Sequence, residues 1–312
     1  MRIGMAFGDV RGPAPVPEIT RQIQEAAAGG VGSAWVTHGV GWDALTTLAV
    51  AGPAAPGVEL GTAVVPFPQR HPLVLAKQAL TVQAAVGNRL TLGIGAGIAR
   101  MVSTMYGLPT DRPARRMREY LEVLRPLLRG EVVEHHGETY TAVGSLDLPG
   151  TEAPSVLLAA LGPAMLKVAG ELADGTITWM TGPQTLSKHV VPSITHAAGG
   201  RNPRVVAGVG VCLTSAEDAV RARFAEQFAL AGQVPEYRAM LDREGAAGPA
   251  DVLVVGDETS IAKQLDRFRD AGATDLMLAP IGTPDEQART AEFLLAAERR
   301  RSGTAVAPGR GM

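Results

Sequence analysis

Cysteine is nearly absent from this chain: among 312 residues only Cys212 carries a thiol. An intrachain disulfide is therefore excluded, and Cys212, inside the apolar run VVAGVGVCLT, reads as a small buried hydrophobe. Long hydrophobic runs are missing too, since no window reaches the roughly 18 uninterrupted apolar residues of a membrane span. The opening MRIGMAFGD has no basic stretch leading into an apolar one, so it predicts a first strand rather than a signal peptide. Nor does one sign of charge dominate. The 29 basic and 31 acidic residues leave a net charge of −2, which gives neither nucleic acid nor an anionic membrane a reason to bind. The expectation is a soluble cytoplasmic protein acting on a small molecule.

What the chain does have is apolar sequence, 46% of its residues, ample for a large core. It comes as alternating strand-like and helix-like segments, most clearly from Val58 to Gly97. Val58–Val65 is β-branched and apolar and stops at Pro66 and Pro68; His71-Pro72 opens a helix running to Val86, closed by Gly87-Asn88; Leu90–Gly95 is a second buried strand. A unit of this length predicts a right-handed crossover between parallel strands. Gly93, Gly95 and Gly97 weaken a strand. They predict either a large ligand pressed on its backbone or bulky neighbours in a barrel interior.

Further strands are predicted at Arg2–Phe7, Ser33–Thr37, Ser155–Ala160, Thr176–Met180, Val205–Leu213 and Thr274–Ala279. Helices are predicted at Pro17–Ala28, Trp42–Ala51, Arg112–Leu128, Pro163–Ala173, Thr259–Ala271 and Pro284–Arg300. In the Arg112–Leu128 helix Met117, Tyr120, Leu121, Leu124 and Leu128 fall at core spacing, with Glu119 and its charged neighbours mostly outside. Eight strands separated by helices predict an α/β fold, a (β/α)8 TIM barrel of the size that takes about 250 residues, as one domain over residues 1–300. Two segments exceed a minimal barrel. Residues 131–143 (EVVEHHGETYTAV) read as a hairpin turning near Gly137. Adjacent strand residues point to opposite faces, so His135 and His136 read as exposed hairpin residues rather than ligands of one metal ion. Residues 233–249 carry a short amphipathic helix, either a lid over the site or a plug at one barrel end. The Gly/Pro-rich tail, residues 301–312, predicts disorder.

In such a barrel the site lies at the carboxyl ends of the strands. Those ends deliver Thr37, His38 and Trp42 after strand two, Thr62–Val65 from strand three, Gly95–Arg100 from four, Ala160–Gly162 from five and Trp179–Gly182 from six. They hold no Ser/His/Asp grouping, no carboxylate pair and no His/Cys cluster at metal spacing, so hydrolysis and metal catalysis rank low. A wide mouth of glycine, alanine, valine and tryptophan suits a flat aromatic cofactor that brings its own reactivity. In AALGPAM (159–165) a helix starts at Pro163 just after Gly162, and the N–H groups of Ala164 and Met165 would hold an anion. An ordinary βα turn reads the same way.

Four segments in this order, GTAVVPFPQRHPLVLAKQALTVQAAVGNRLTLGIGAG (61–97), DRPARRMREYLEVL (111–124), ALGPAMLKVAGELADGTITWMTGP (160–183) and AGATDLMLAP (271–280), resemble the luciferase-like flavin and deazaflavin oxidoreductases. The likeness is greatest to the actinobacterial branch that uses coenzyme F420, an 8-hydroxy-5-deazaflavin, and covers about residues 1–298. The resemblance implies a homodimeric TIM barrel with the ring across its mouth and the phosphate on the strand-five turn. It puts a non-prolyl cis peptide at Ala63-Val64, with Val64 against the back of the ring. Thr37, Thr62, Gly95, Ala96 and Gly97 would surround the ring and Arg100 would meet the acidic tail. Ala160, Leu161, Gly162, Pro163, Ala164 and Met165 would form the phosphate turn, and Trp179, Thr181 and Gly182 would flank the ring or its chain.

The departures narrow the substrate. Sugar-phosphate dehydrogenases of the family carry an Asp-His pair after strand two and a glutamate after strand four, where this chain has Thr37-His38 and Ile98. A sugar phosphate is therefore not expected. His38 is left as the titratable group over the ring, for proton transfer, for a neutral hydrogen bond to substrate, or as a spacer, with Trp42 beside it as a wall of the catalytic pocket. The expected activity is hydride transfer between deazaflavin C5 and a small organic substrate, as reduction of an activated C=C or C=N bond. An FMN-dependent monooxygenase and a flavin- or deazaflavin-binding protein without turnover are the alternatives.

Overall fold

The computed structural model describes residues 1–301, so the expectation for residues 302–312 lies outside the described residues. β1 (Arg2–Phe7) leads to α1 (Val16–Ala28), β2 (Ser33–Val36) to α2 (Ala44–Ala51), and β3 (Glu59–Thr62) through the two-residue β4 (Val65–Pro66) to α3 (Pro72–Ala85). β5 (Leu90–Gly95) is followed by α4 (Ala99–Tyr106), α5 (Pro113–Leu128) and an antiparallel hairpin of β6 (Val133–His136) and β7 (Thr141–Gly144). β8 (Ser155–Ala159) feeds α6 (Pro163–Leu172). β9 (Gly175–Trp179) feeds α7 (Pro183–Thr185), a π turn at Leu186–Val190 and α8 (Val191–Ala197). After β10 (Arg204–Leu213) come α9 (Glu217–Gln227), α10 (Pro235–Glu244), the short β11 (Val254–Gly256), α11 (Glu258–Asp270), β12 (Asp275–Pro280) and α12 (Pro284–Arg301).

Among the described residues the strands β1, β2, β3, β5, β8, β9, β10 and β12 pair in that order, all parallel, and β12 returns to β1. This closed ring is the eight-stranded barrel that the alternation predicts. Because strand residues alternate in direction, each strand feeds two apolar layers. Met5, Phe7, Leu60, Leu92 and Ile94 meet Ile23, Leu48, Leu75 and Leu124 of the helices. Ala6, Trp35, Leu157, Ile177, Val206 and Met277 fill the interior. Trp35 is wholly buried, and its Nε1 donates to Ser33 Oγ at 2.8 Å. A Cβ on Gly61 would stand 2.1 Å from the indole Cε3, so the bare glycine admits the ring. At the amino end Arg204 donates to Glu59 Oε1 and Asp275 Oδ1, both at 2.8 Å, and Arg2 engages the same two carboxylates. That end is sealed by ions, which leaves the carboxyl end as the mouth.

Several local expectations are corrected. Strand three does not run unbroken over Val58–Val65: it divides into β3 and β4 at a cis peptide between Ala63 and Val64. The helix expected from Trp42 begins at Ala44, because the Asp43 carboxylate accepts the Thr46 N–H and caps it there. α4 and α9 escaped prediction because they bury little, Val102 in the first and Val220 and Phe224 in the second. β11 is three residues long and borrows its partner from the far end of β10. In the hairpin His136 is exposed, but His135 lies 3.3 Å from Glu119 Oε1 of α5. Glu119 is itself buried rather than outside, and accepts the N–H groups of Thr139 and Tyr140 as well. Burial pushes its carboxyl up, and these donors outweigh that to hold it below the usual carboxylate range. The hairpin is therefore anchored to α5 by one buried carboxylate.

Candidate active site

Ala63, Val64, Ala159 and Trp179 pack half-buried on top of the interior cluster and form the floor of the mouth. Trp179 is flanked by Phe228, at the end of α9, with ring centroids 5.8 Å apart. Ala231 and Tyr237, from the segment around the 233–249 insertion, pack against the same cluster. The insertion is fastened there. Glu244 of α10 accepts the Gln184 and Thr185 N–H groups at 3.1 and 2.7 Å, and Thr185 Oγ1 donates to Met240 O at 3.1 Å.

The β2 end places His38 beside the start of α2. Its side chain is 9% exposed, and Nδ1 accepts the Ala44 N–H at 3.2 Å. Asp43 Oδ1 takes the Thr46 N–H and hydroxyl at 2.8 Å each, while Oδ2 carries the Arg70 guanidinium and stands 3.8 Å from His38 Nδ1. Burial lowers the His38 pKa below its ordinary 6.5, and Arg70 adds to this against the opposing pull of Asp43 and Asp9. At neutral pH this imidazole is uncharged. Ile98 occupies the N-cap position of α4, with no side-chain cap there.

The β8–α6 turn is open. No side chain caps α6, and its first amide with a backbone acceptor is that of Leu166, to Gly162 O at 2.9 Å. The N–H groups of Ala164 and Met165 thus face outward, and a Cβ on Gly162 would meet nothing within 4 Å. His189 Nε2 donates to Leu161 O at 2.8 Å and steadies the turn from the π segment. Pro163 and Ala164 are exposed, and the Met165 side chain packs back on the outer layer. The turn thus offers backbone donors, the positive end of a helix dipole and free space, which are the features an anion site needs.

Other expected site residues do different work. Thr62 is fully buried; its hydroxyl donates to Gly93 O and accepts the Gly93 N–H, so it ties β3 to β5. Thr37 similarly donates to Phe7 O and accepts the Val10 N–H. Gly93 and Gly95 answer to the protein itself, since a Cβ would meet Thr62 O at 2.0 Å and Val64 Cγ2 at 2.8 Å. Gly97 is exposed with φ +72°. Ala160 and Ala96 belong to the outer layer; Ala159, one residue earlier, is the one that faces the mouth. Thr181 is buried, and Gly182 lies under the Glu244 carboxylate, 2.2 Å from where its Cβ would be. Trp42 is 53% exposed with Nε1 donating to Ala14 O, a rim residue, and Arg100 is exposed on α4. Asp43 was missed although its signal is local, an aspartate just before an apolar helical run. Arg70, His189, Phe228 and Glu244 act across long sequence separations and left no local signal.

The profile of the luciferase-like monooxygenases matches residues 4–291. A 5,10-methylenetetrahydromethanopterin reductase of Methanolobus tindarius is 28% identical over 300 residues, covering 93% of this chain and 91% of the relative. A candidate coenzyme F420-dependent oxidoreductase of Mycobacterium tuberculosis is 30% identical over 190 residues, 56% of this chain and 54% of the relative. Uncharacterized mycobacterial relatives reach 31% identity, and the chain spans 61% of their length. The coenzyme F420-dependent tetrahydromethanopterin reductase of Methanopyrus kandleri has the same fold, with a TM-score of 0.75 at 21% identity over 94% of this chain and 97% of that one. With the closed barrel and a family profile spanning nearly all described residues, the chain belongs to the luciferase-like monooxygenase family.

Proposed function

We propose that this protein is a coenzyme F420-dependent oxidoreductase that reduces an activated C=C or C=N bond of a small organic substrate, as a cytoplasmic homodimer. The observation that carries the reading is the uncapped amino end of α6 opening on the same barrel face as the neutral His38. The residues present fit such a cofactor. Ala164 and Met165 N–H groups would hold its phosphate, Ala63, Val64 and Ala159 are slender enough to leave room for a flat ring, and Trp179 borders that space. When bound, the deazaflavin supplies hydride at C5. The chain itself contributes orientation and one polar contact: apolar walls exclude water, and His38 offers a hydrogen bond to the acceptor. One relative by sequence is named for F420 and another is a 5,10-methylenetetrahydromethanopterin reductase, which supports a reductase that uses F420.

The test is a titration of the purified protein with F420 and with FMN, followed by mixing with reduced F420 and a panel of enones, enoates and imines. Tight F420 binding and oxidation of the reduced form by at least one acceptor are expected. Preferential FMN binding would overturn the cofactor assignment. Reduced F420 that survives the whole panel would leave the barrel a binding protein.

A further inference from the structure

We infer that Asp43 and Arg70 are positioning residues that hold His38 as the neutral tautomer with its proton on Nε2, a hydrogen-bond donor to the substrate and not an acid. The inference deepens the proposed function and rests on it for what receives that bond. A backbone N–H only donates, so the contact from Ala44 at 3.2 Å requires a lone pair on Nδ1. In an uncharged ring the proton then resides on Nε2. Ala44 is the first residue of α2, so the ring also faces the positive end of a helix dipole. An imidazole placed this way stays neutral and polarises its partner by donating.

Two side chains fix the position of that amide. Asp43 caps α2 through Oδ1, which sets the direction of the first turn. Its other oxygen receives Arg70, whose Nε donates to Gln78 Oε1 on α3 at 3.0 Å. Arg70 thereby braces the start of α2 against α3. The charged groups facing His38 are Asp9 from the β1–α1 connection, Asp43 and Arg70. Both carboxylates favour imidazolium; burial and Arg70 oppose it and prevail. Were Nδ1 protonated, it would confront the Ala44 N–H donor head-on.

The experiment is imidazole nitrogen NMR on labelled, cofactor-free protein, with His38 assigned by its loss in His38→Ala. In the wild type at about pH 7, Nε2 is expected to carry the proton, Nδ1 to be unprotonated, and the titration midpoint to lie below that of an ordinary histidine. Arg70→Gln should raise the midpoint and bring a proton to Nδ1, facing Asp43; Arg70→Lys should restore the wild-type pattern. Asp43→Asn keeps a capping acceptor but drops the charge, and should lower the midpoint further, which keeps the idea testable where Arg70→Gln fails to fold. A proton on Nδ1 in the wild type overturns the inference, as does an unchanged midpoint in the folded variants. Because the spectra need no cofactor, a correctly held His38 in a protein that ignores F420 would fail the proposed function alone. The opposite result would fail the positioning inference alone.

Discussion

Replacing His38 by alanine removes a side chain that is only 9% exposed and leaves the Ala44 N–H, one of the four donors that a helix start cannot pair internally, without its side-chain acceptor. The fold is expected to tolerate the change, and the loss is expected to fall on the chemistry. Hydride transfer by His38→Ala is expected to fall about 100-fold, the low end of what a positioned polar group contributes, while the F420 dissociation constant holds. Equal turnover in the variant, measured by stopped-flow oxidation of reduced F420, would remove His38 from the mechanism. At this scale the sequence names the residues at a strand end but does not give the direction or partner of each side chain. Thr62 and Ala160 both lie beside the site, yet one spends its hydroxyl on Gly93 and the other points at the helices. Pleat direction at a strand terminus and the partner of a hydroxyl are set by the neighbouring strand.

At the level of elements, the β8–α6 turn allows a test that separates folding from binding. Gly162 has φ −78°, which any residue adopts, and its Cβ position is empty. Gly162→Val should cost no more than about 1 kcal/mol of stability, the difference between a good and a poor N-cap. It should nonetheless weaken F420 binding at least about tenfold, roughly 1.4 kcal/mol, by filling the space before the Ala164 and Met165 N–H groups. Calorimetric titration alongside thermal melting reads both quantities, and an unchanged dissociation constant would move the phosphate elsewhere. The helix after β9 offers no equivalent site, because Glu244 already supplies a carboxylate to its amino end. Both helices begin with Gly-Pro after a strand. What distinguishes them is a residue about 60 positions away.

For the whole molecule, the ionic seal at the amino end links stability to pH. Burial pushes the Asp275 carboxyl up, but the hydrogen bonds from Arg204 and Thr274 and the charges of Arg204 and Arg2 outweigh it and hold its pKa below 3.8. A depressed carboxylate contributes stability that is complete above its unfolded pKa and is lost as pH falls through the lower folded one. Denaturant midpoints should therefore be flat above about pH 5 and drop below about pH 4, with Glu119 and Glu286, also held low, acting in the same direction. Arg204→Met leaves the buried Asp275 with Arg2 and the Thr274 hydroxyl and should cost about 3 kcal/mol; a midpoint within error of the wild type would show the seal to be dispensable. The sequence by itself determined the barrel, since eight apolar strand segments separated by amphipathic helices have one economical way to bury both faces. It also marked Gly162-Pro163 as a helix start, because turn chemistry is local. Only the tertiary structure decided which of two like helix ends stays open, which alanine faces the mouth and how burial and Arg70 together keep His38 neutral. Those depend on contacts between residues far apart in the chain, and no short window of sequence contains them.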